Sequence, residues 1–196
     1  MAARTPLLAC ALLLAGLATA HAQTYPPPGH MMIFADRMAD RLEYERKQAA
    51  GNGQTAVAVD LTWQLGARIR DVWGAHQTIL WIVYMDVVDL WRGAAEYDRA
   101  LTALERMERD LSPHNWFDNY ERSSIRLAQA YLHLDGADPA RAEQSFRDYL
   151  EIYGASDRPD GPVSAQTYRD FADVLRTNGK PAEADAAHRR AARADR

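Results

Sequence analysis

The chain has one cysteine, Cys10, among 196 residues, and it falls in a stretch marked for removal. Without it there are no disulfides, no thiolate metal sites and no cysteine nucleophile. Basic excess is also missing. Formal net charge is -4, so global charge gives no support to a nucleic-acid or anionic-membrane partner. Past the first 22 residues no apolar run approaches the roughly 20 residues that a membrane span needs. There is no glycine loop to cradle a phosphate, no adjacent nucleophile and base, and no metal-ligand spacing. The histidines His30, His76, His114, His133 and His188 are scattered, one per helical region. The sequence calls for no cofactor and no catalytic residue, so the expectation is not an enzyme.

Residues 1–22 read as a cleavable leader. Arg4 forms a short basic start, an apolar run extends from Pro6 to Ala18, and Ala20-His21-Ala22 is the small-x-small pattern of a signal peptidase site. Cleavage after Ala22 removes Arg4 and no acidic residue, so net charge falls by one, to -5. The expected address is periplasmic or secreted. Export without disulfides suits a bacterial envelope protein better than a small secreted scaffold. Residues 23–29, QTYPPPG, form a stiff lead in which three prolines favour polyproline II.

The remainder reads as helices throughout. His30–Ala50 carries Met31, Phe34, Ala35, Met38 and Leu42 on one face. Ala56–Trp73 carries Ala58, Leu61, Leu65, Ile69 and Val72 at steps of three and four. These two make a helical pair over residues 30–74. His76–Trp91 is apolar nearly all round and belongs in the middle of the packing. Asp86 and Asp89 interrupt it on a shared face. The expectation is one carboxylate toward a groove and one paired with an arginine or a helix N-terminus. Ala94–Leu111 follows, then two helices within Tyr120–Gly154. Gly136 is expected to take the left-handed conformation that ends the first of these, and Asp138-Pro139 to cap and start the second. After a loop over Ala155–Val163, two further helices start near Ser164 and at Pro181.

The last three hairpins align with one another. Turn glycines Gly93, Gly136 and Gly179 repeat at 43 residues, and alanines Ala100, Ala142 and Ala184 repeat at 42. Large side chains follow each alanine by four: Leu104, Phe146, His188. The first helices end their stripes on Trp91, Tyr131 and Leu175, which makes the middle turn look longer than the others. Self-similarity at a fixed period marks a helical repeat.

From Ile79 to Arg196 the chain resembles the tetratricopeptide repeat family. The last hairpin matches with Tyr168, Phe171-Ala172, Leu175, Gly179, Ala184 and Ala191. The middle one matches with Leu127-Ala128, Tyr131, Ala142 and Phe146, with Ser124 in place of the leading aromatic. The first matches in character with Tyr84, Val87-Val88, Trp91, Ala100 and Leu104. The resemblance implies an all-α, right-handed solenoid of helical hairpins over residues 75–196, with two additional N-terminal helices. It implies a groove lined by the first helices: Asp89 and Arg92, then Arg122, Gln129 and His133, then Arg169, Asp173 and Arg176. Guanidinium groups there favour carboxylates of an extended peptide or chain terminus.

The expected function is an adaptor or scaffold for a protein or peptide partner in the cell envelope. Two alternatives stand beside it. One is a metal or small-ligand binder built from Met31, Met32, Met38, Met85 and a histidine, since thioethers and imidazole both ligate copper. The other is a structural subunit of a larger assembly, with the Ile79–Trp91 helix at an interface.

Overall fold

The structure is a computed structural model that describes residues 36–73, 77–114, 116–155 and 163–195. The leader, the proline lead, the start of the His30 helix with Met31 and Met32, His76 and most of the loop before Val163 lie outside these residues. The described residues form eight helices and no strand. They are α1 Arg37–Gly51, α2 Thr55–Trp73, α3 Gln77–Gly93, α4 Tyr97–Leu111, α5 Asn119–Asp135, α6 Pro139–Gly154, α7 Ala165–Thr177 and α8 Pro181–Ala194. The chain parts into two compact units within α1, and the second begins at Leu42. In the first, the Asp36 side chain accepts from the Met38 N–H and so caps α1.

From α2 to α8 each helix packs against the next, the order expected of a hairpin array. Four turns within the second unit share one backbone conformation. Gly53, Ala95, Ala137 and Gly179 are left-handed, with φ of 72°, 59°, 58° and 73°. Each donates its N–H to the carbonyl three residues back, on Ala50, Arg92, Leu134 and Arg176. The next residue (Gln54, Glu96, Asp138 or Lys180) donates to the carbonyl five back, on Ala49, Trp91, His133 or Leu175. This is the Schellman closure of a helix end. Five residues past each left-handed position stands an alanine with no exposed surface: Ala58, Ala100, Ala142 and Ala184. A methyl there lets the two helices of a hairpin approach closely.

The period is therefore 42 residues, and it corrects the glycine alignment. Gly136 has φ of -78°, and Ala137 makes the left-handed turn in its place. Gly93 likewise precedes the turn residue, Ala95. Trp91, His133 and Leu175 are the equivalent helix ends, so all three turns have one length. The same turn and the same buried alanine also occur between α1 and α2, the two additional N-terminal helices. The repeat array comprises three hairpins, α3–α4, α5–α6 and α7–α8, preceded by the two N-terminal helices α1 and α2.

The core follows from the stripes. Tyr84, Val87, Leu104, Met107, Leu111, Ile125 and Leu132 form one buried cluster, and Phe146, Phe171, Ala172, Val174, Leu175 and Ala184 form a second. Helices α2 and α3 approach so closely at Gly66 that a methyl placed there would stand 2.7 Å from Val83 Cγ1. Two expected core positions are instead on the surface. Met38 is 51% exposed and Val72 is 43% exposed. Asp118 opens α5 by accepting from the Tyr120 N–H, while Glu121 reaches back to the Asp118 N–H, a reciprocal cap. Asp138 caps α6 through the Arg141 N–H with Pro139 at the first helical position, as expected.

Candidate functional site

Consecutive first helices are tied by polar bridges across hairpin boundaries. Arg46 on α1 meets Asp86 on α3 at 3.1 Å. Arg92 on α3 meets Asp135 at the end of α5 at 2.5 Å. The Tyr131 hydroxyl on α5 donates to Asp170 on α7 at 2.8 Å. These ties set the first helices side by side and make their outward positions one face. Asp86 is thus the arginine-paired carboxylate and Asp89 the exposed one. Desolvation raises the Asp89 carboxyl above its ordinary pKa, against the pull of Arg92.

The 42-residue period assigns equivalent positions on this face. On α3 they are Ile82, Met85, Asp89 and Arg92; on α5, Ser124, Leu127, Tyr131 and Leu134; on α7, Gln166, Arg169, Asp173 and Arg176. Spacings of three and four keep each set on one side of its helix. Ile82 is 44% exposed, and Met85, Leu127, Tyr131 and Leu134 are half-buried, leaning on the core from outside. The middle of the face is apolar, and the α7 end is charged.

Five of the eight sequence-predicted residues hold these positions: Asp89, Arg92, Arg169, Asp173 and Arg176. The other three, all on α5, do not share them. Arg122 is equivalent to Leu80 and Ser164, and its guanidinium lies 5.8 Å from the Phe117 ring centre. Gln129 is equivalent to the buried Val87 and Phe171 and accepts from Arg126 at 3.0 Å. His133 is equivalent to Trp91 and Leu175 and is half-buried. The arginines that are on the face have intramolecular partners. Arg169 pairs with Asp195, and Arg176 lies 3.3 Å from Asp185 and 3.8 Å from Asp173.

His133 instead lines a cleft of about 280 Å³ at the turn edge, between the α3–α4 and α5–α6 hairpins. Burial lowers its pKa, with Asp138 and Asp98 opposing and Arg141 assisting. Tyr97, Leu101, Leu132, Glu96, Asp98 and Asp138 also line the cleft. The sequence reading missed both this cleft and the apolar middle of the face. The even spacing of Ala100, Ala142 and Ala184 carried the signal for each.

The methionines of the metal alternative are not seen to converge. Met85 leans on the core cluster, Met38 is exposed in the other unit, and Met31 and Met32 lie outside the described residues. Among the described residues no group of three or more His, Cys, Asp or Glu side chains is placed to hold a metal ion. No helix among them is long and apolar enough to cross a membrane.

No known protein-family model matches the chain, and no curated protein matches it in sequence. Solved structures do match its arrangement. BtubC from P. vanneervenii aligns over 89% of this chain and 67% of that one, with a TM-score of 0.61 and 13% identity. The TPR-like repeats of a putative kinesin light chain from Podosopora anserina align over 93% and 84%, with a TM-score of 0.57 and 16% identity. MamA aligns over 85% and 84%, with a TM-score of 0.52 and 12% identity. At these identities the likeness is one of fold. The chain is an all-helical, tetratricopeptide-like repeat solenoid.

Proposed function

We propose that this protein is an exported adaptor that holds a protein partner against the face of its first helices. The observation that carries this reading is the apolar middle of that face, Ile82 and Met85 on α3 beside Leu127, Tyr131 and Leu134 on α5. Magnitudes rank the contributions. Burying an apolar side chain is worth about 1.5–3 kcal/mol. An exposed ion pair is worth about 0.2–1 kcal/mol, and Arg169 and Arg176 would exchange one carboxylate for another. The apolar strip therefore supplies affinity. The α7 arginines orient the partner, drawing its carboxylates toward that end.

The address rests on residues 1–22, whose basic start, apolar run and Ala-His-Ala end are those of a cleavable leader.

The test is affinity capture from an envelope extract with wild type, Ile82→Glu and Arg176→Glu, each checked by thermal melting. Ile82→Glu is expected to lose the partner with Tm unchanged, and Arg176→Glu to weaken capture only a few-fold. Equal recovery by all three proteins removes the face assignment. The mass of the exported protein tests the address: a chain beginning at Gln23 is expected, and an intact Met1 in the cytoplasm would refute it.

A further inference from the structure

The boundary between the last two hairpins is closed by a polar clamp. Lys180 sets its ammonium 2.7 Å from Glu143 Oε1. Asn178 Nδ2 donates to Glu143 Oε2 and to the Pro139 carbonyl, both at 2.9 Å. One period earlier, Glu143, Pro139, Asn178 and Lys180 become Leu101, Tyr97, Gly136 and Asp138. All four line the 280 Å³ cleft between the α3–α4 and α5–α6 hairpins. The cleft is the place where the next boundary holds its own lysine. Here the acid has become leucine, the amide has become glycine, and the lysine has become a carboxylate.

We propose that this cleft receives a lysine side chain from a partner protein. Tyr97 and Leu101 line the cleft where the four-carbon stem would lie, and Asp98 and Asp138 meet the ammonium. Asp98 is in no ion pair among the described residues. His133 lines the same cleft. Arg141 lies 3.4 Å from Asp138, but both are exposed, so it competes weakly. Acidic residues near the start of a helix have an ordinary role in balancing its dipole. That dipole does not bar an ammonium: Lys180 occupies the position before α8 that Asp138 occupies before α6, and it still binds a carboxylate. A metal ion is disfavoured, because no three-ligand group is present among the described residues. The site is at the turn edge, separate from the first-helix face, so it stands or falls independently of the adaptor reading.

The experiment is an amide NMR titration of the ¹⁵N-labelled protein with a capped Gly-Gly-Lys-Gly-Gly peptide. Matched peptides carry norleucine or acetyl-lysine at the centre. The lysine peptide is expected to shift the amides of Asp98, Leu101, His133 and Gly136 with a Kd of about 1–10 mM, from burial of the stem together with the charge contact. The other two peptides, which keep the stem and lack the charge, are expected to bind about two- to fivefold more weakly. Asp98→Asn is expected to weaken binding about two- to fivefold. The double variant Leu101→Glu/Asp138→Lys rebuilds the clamp internally and is expected to abolish binding while raising Tm. The proposal is overturned if about 20 mM lysine peptide shifts none of these amides. It is also overturned if norleucine shifts them equally, or if Asp98→Asn binds as wild type.

Discussion

The Tyr131 hydroxyl donates to Asp170 across the α5–α7 boundary, while its ring stands edge-on to Phe146 with centres 5.6 Å apart. One side chain thus joins the polar tie and the core. Tyr131→Phe keeps the ring and removes only the bond. The expected cost is about 1 kcal/mol, read as a fall in Tm of roughly 2–4 °C for a chain of this size. Thermal melting checks it. An unchanged Tm would mean that water replaces the bond without loss.

Glu143 gives a pH-dependent test. It is nearly buried, and although burial alone would raise its pKa, hydrogen bonds from Lys180, Asn178 and Arg147 outweigh this and bring it from 4.5 to about 2. A carboxyl whose pKa is depressed on folding stabilises the fold above its unfolded value and loses that contribution as pH falls toward the folded value. The shift corresponds to about 3 kcal/mol at neutral pH, reduced to roughly 2 because Lys180 and Arg147 are partly exposed. Glu143→Gln is expected to be less stable than wild type by that amount at pH 7. The gap should close between about pH 4.5 and pH 2. Urea melts at several pH values measure it, and a gap independent of pH would contradict the assignment.

The left-handed turns give opposite expectations for one substitution and its reverse. An alanine in this conformation costs about 1–2 kcal/mol relative to a relaxed backbone, and glycine avoids that at an entropic cost of about 0.4–1 kcal/mol. Ala137→Gly is therefore expected to raise stability by a few tenths to about 1 kcal/mol, and Gly179→Ala to lower it by a similar amount. Paired denaturation curves decide. Gly136→Ala separates turn from packing, because there a methyl would lie 3.3 Å from the Leu132 carbonyl and 3.5 Å from the Tyr97 ring.

Gly66→Ala tests the α2–α3 approach. In an open helix this change gains about 0.8–1 kcal/mol. Forcing a methyl to within 2.7 Å of Val83 costs about 1–3 kcal/mol. The net expectation is destabilisation of up to about 2 kcal/mol. Adding Val83→Ala should relieve much of the clash, a non-additivity readable in a double-mutant cycle.

Much of this architecture was legible in the residues. Ala142, Phe146 and Tyr149 on α6, and Phe171, Ala172 and Leu175 on α7, are buried as their spacing requires. The misreading came from assigning turns by residue type. Glycine usually takes the left-handed position, but Ala95 and Ala137 take it here, held by hydrogen bonds that no side chain announces. Setting Tyr131 rather than His133 opposite Trp91 and Leu175 slipped α5 by two residues and put Gln129 in the place of Tyr131, since each residue rotates the helix face by about 100°. The turn shared with α1 and α2 was not legible because Thr62, bonded to the Ala58 carbonyl, stands where Leu104 and Phe146 stand later, and α1 carries Glu45 and Arg46 where α3 has Val87 and Val88.

Because Gly53, Ala95, Ala137 and Gly179 present identical backbone at a constant interval, a segment excised from one to the next would leave two ends that already match. Deleting residues 96–137, or inserting a second copy of them, rejoins strands of unchanged local conformation. The turns thus mark where whole modules could be cut or joined without altering the backbone at the junction.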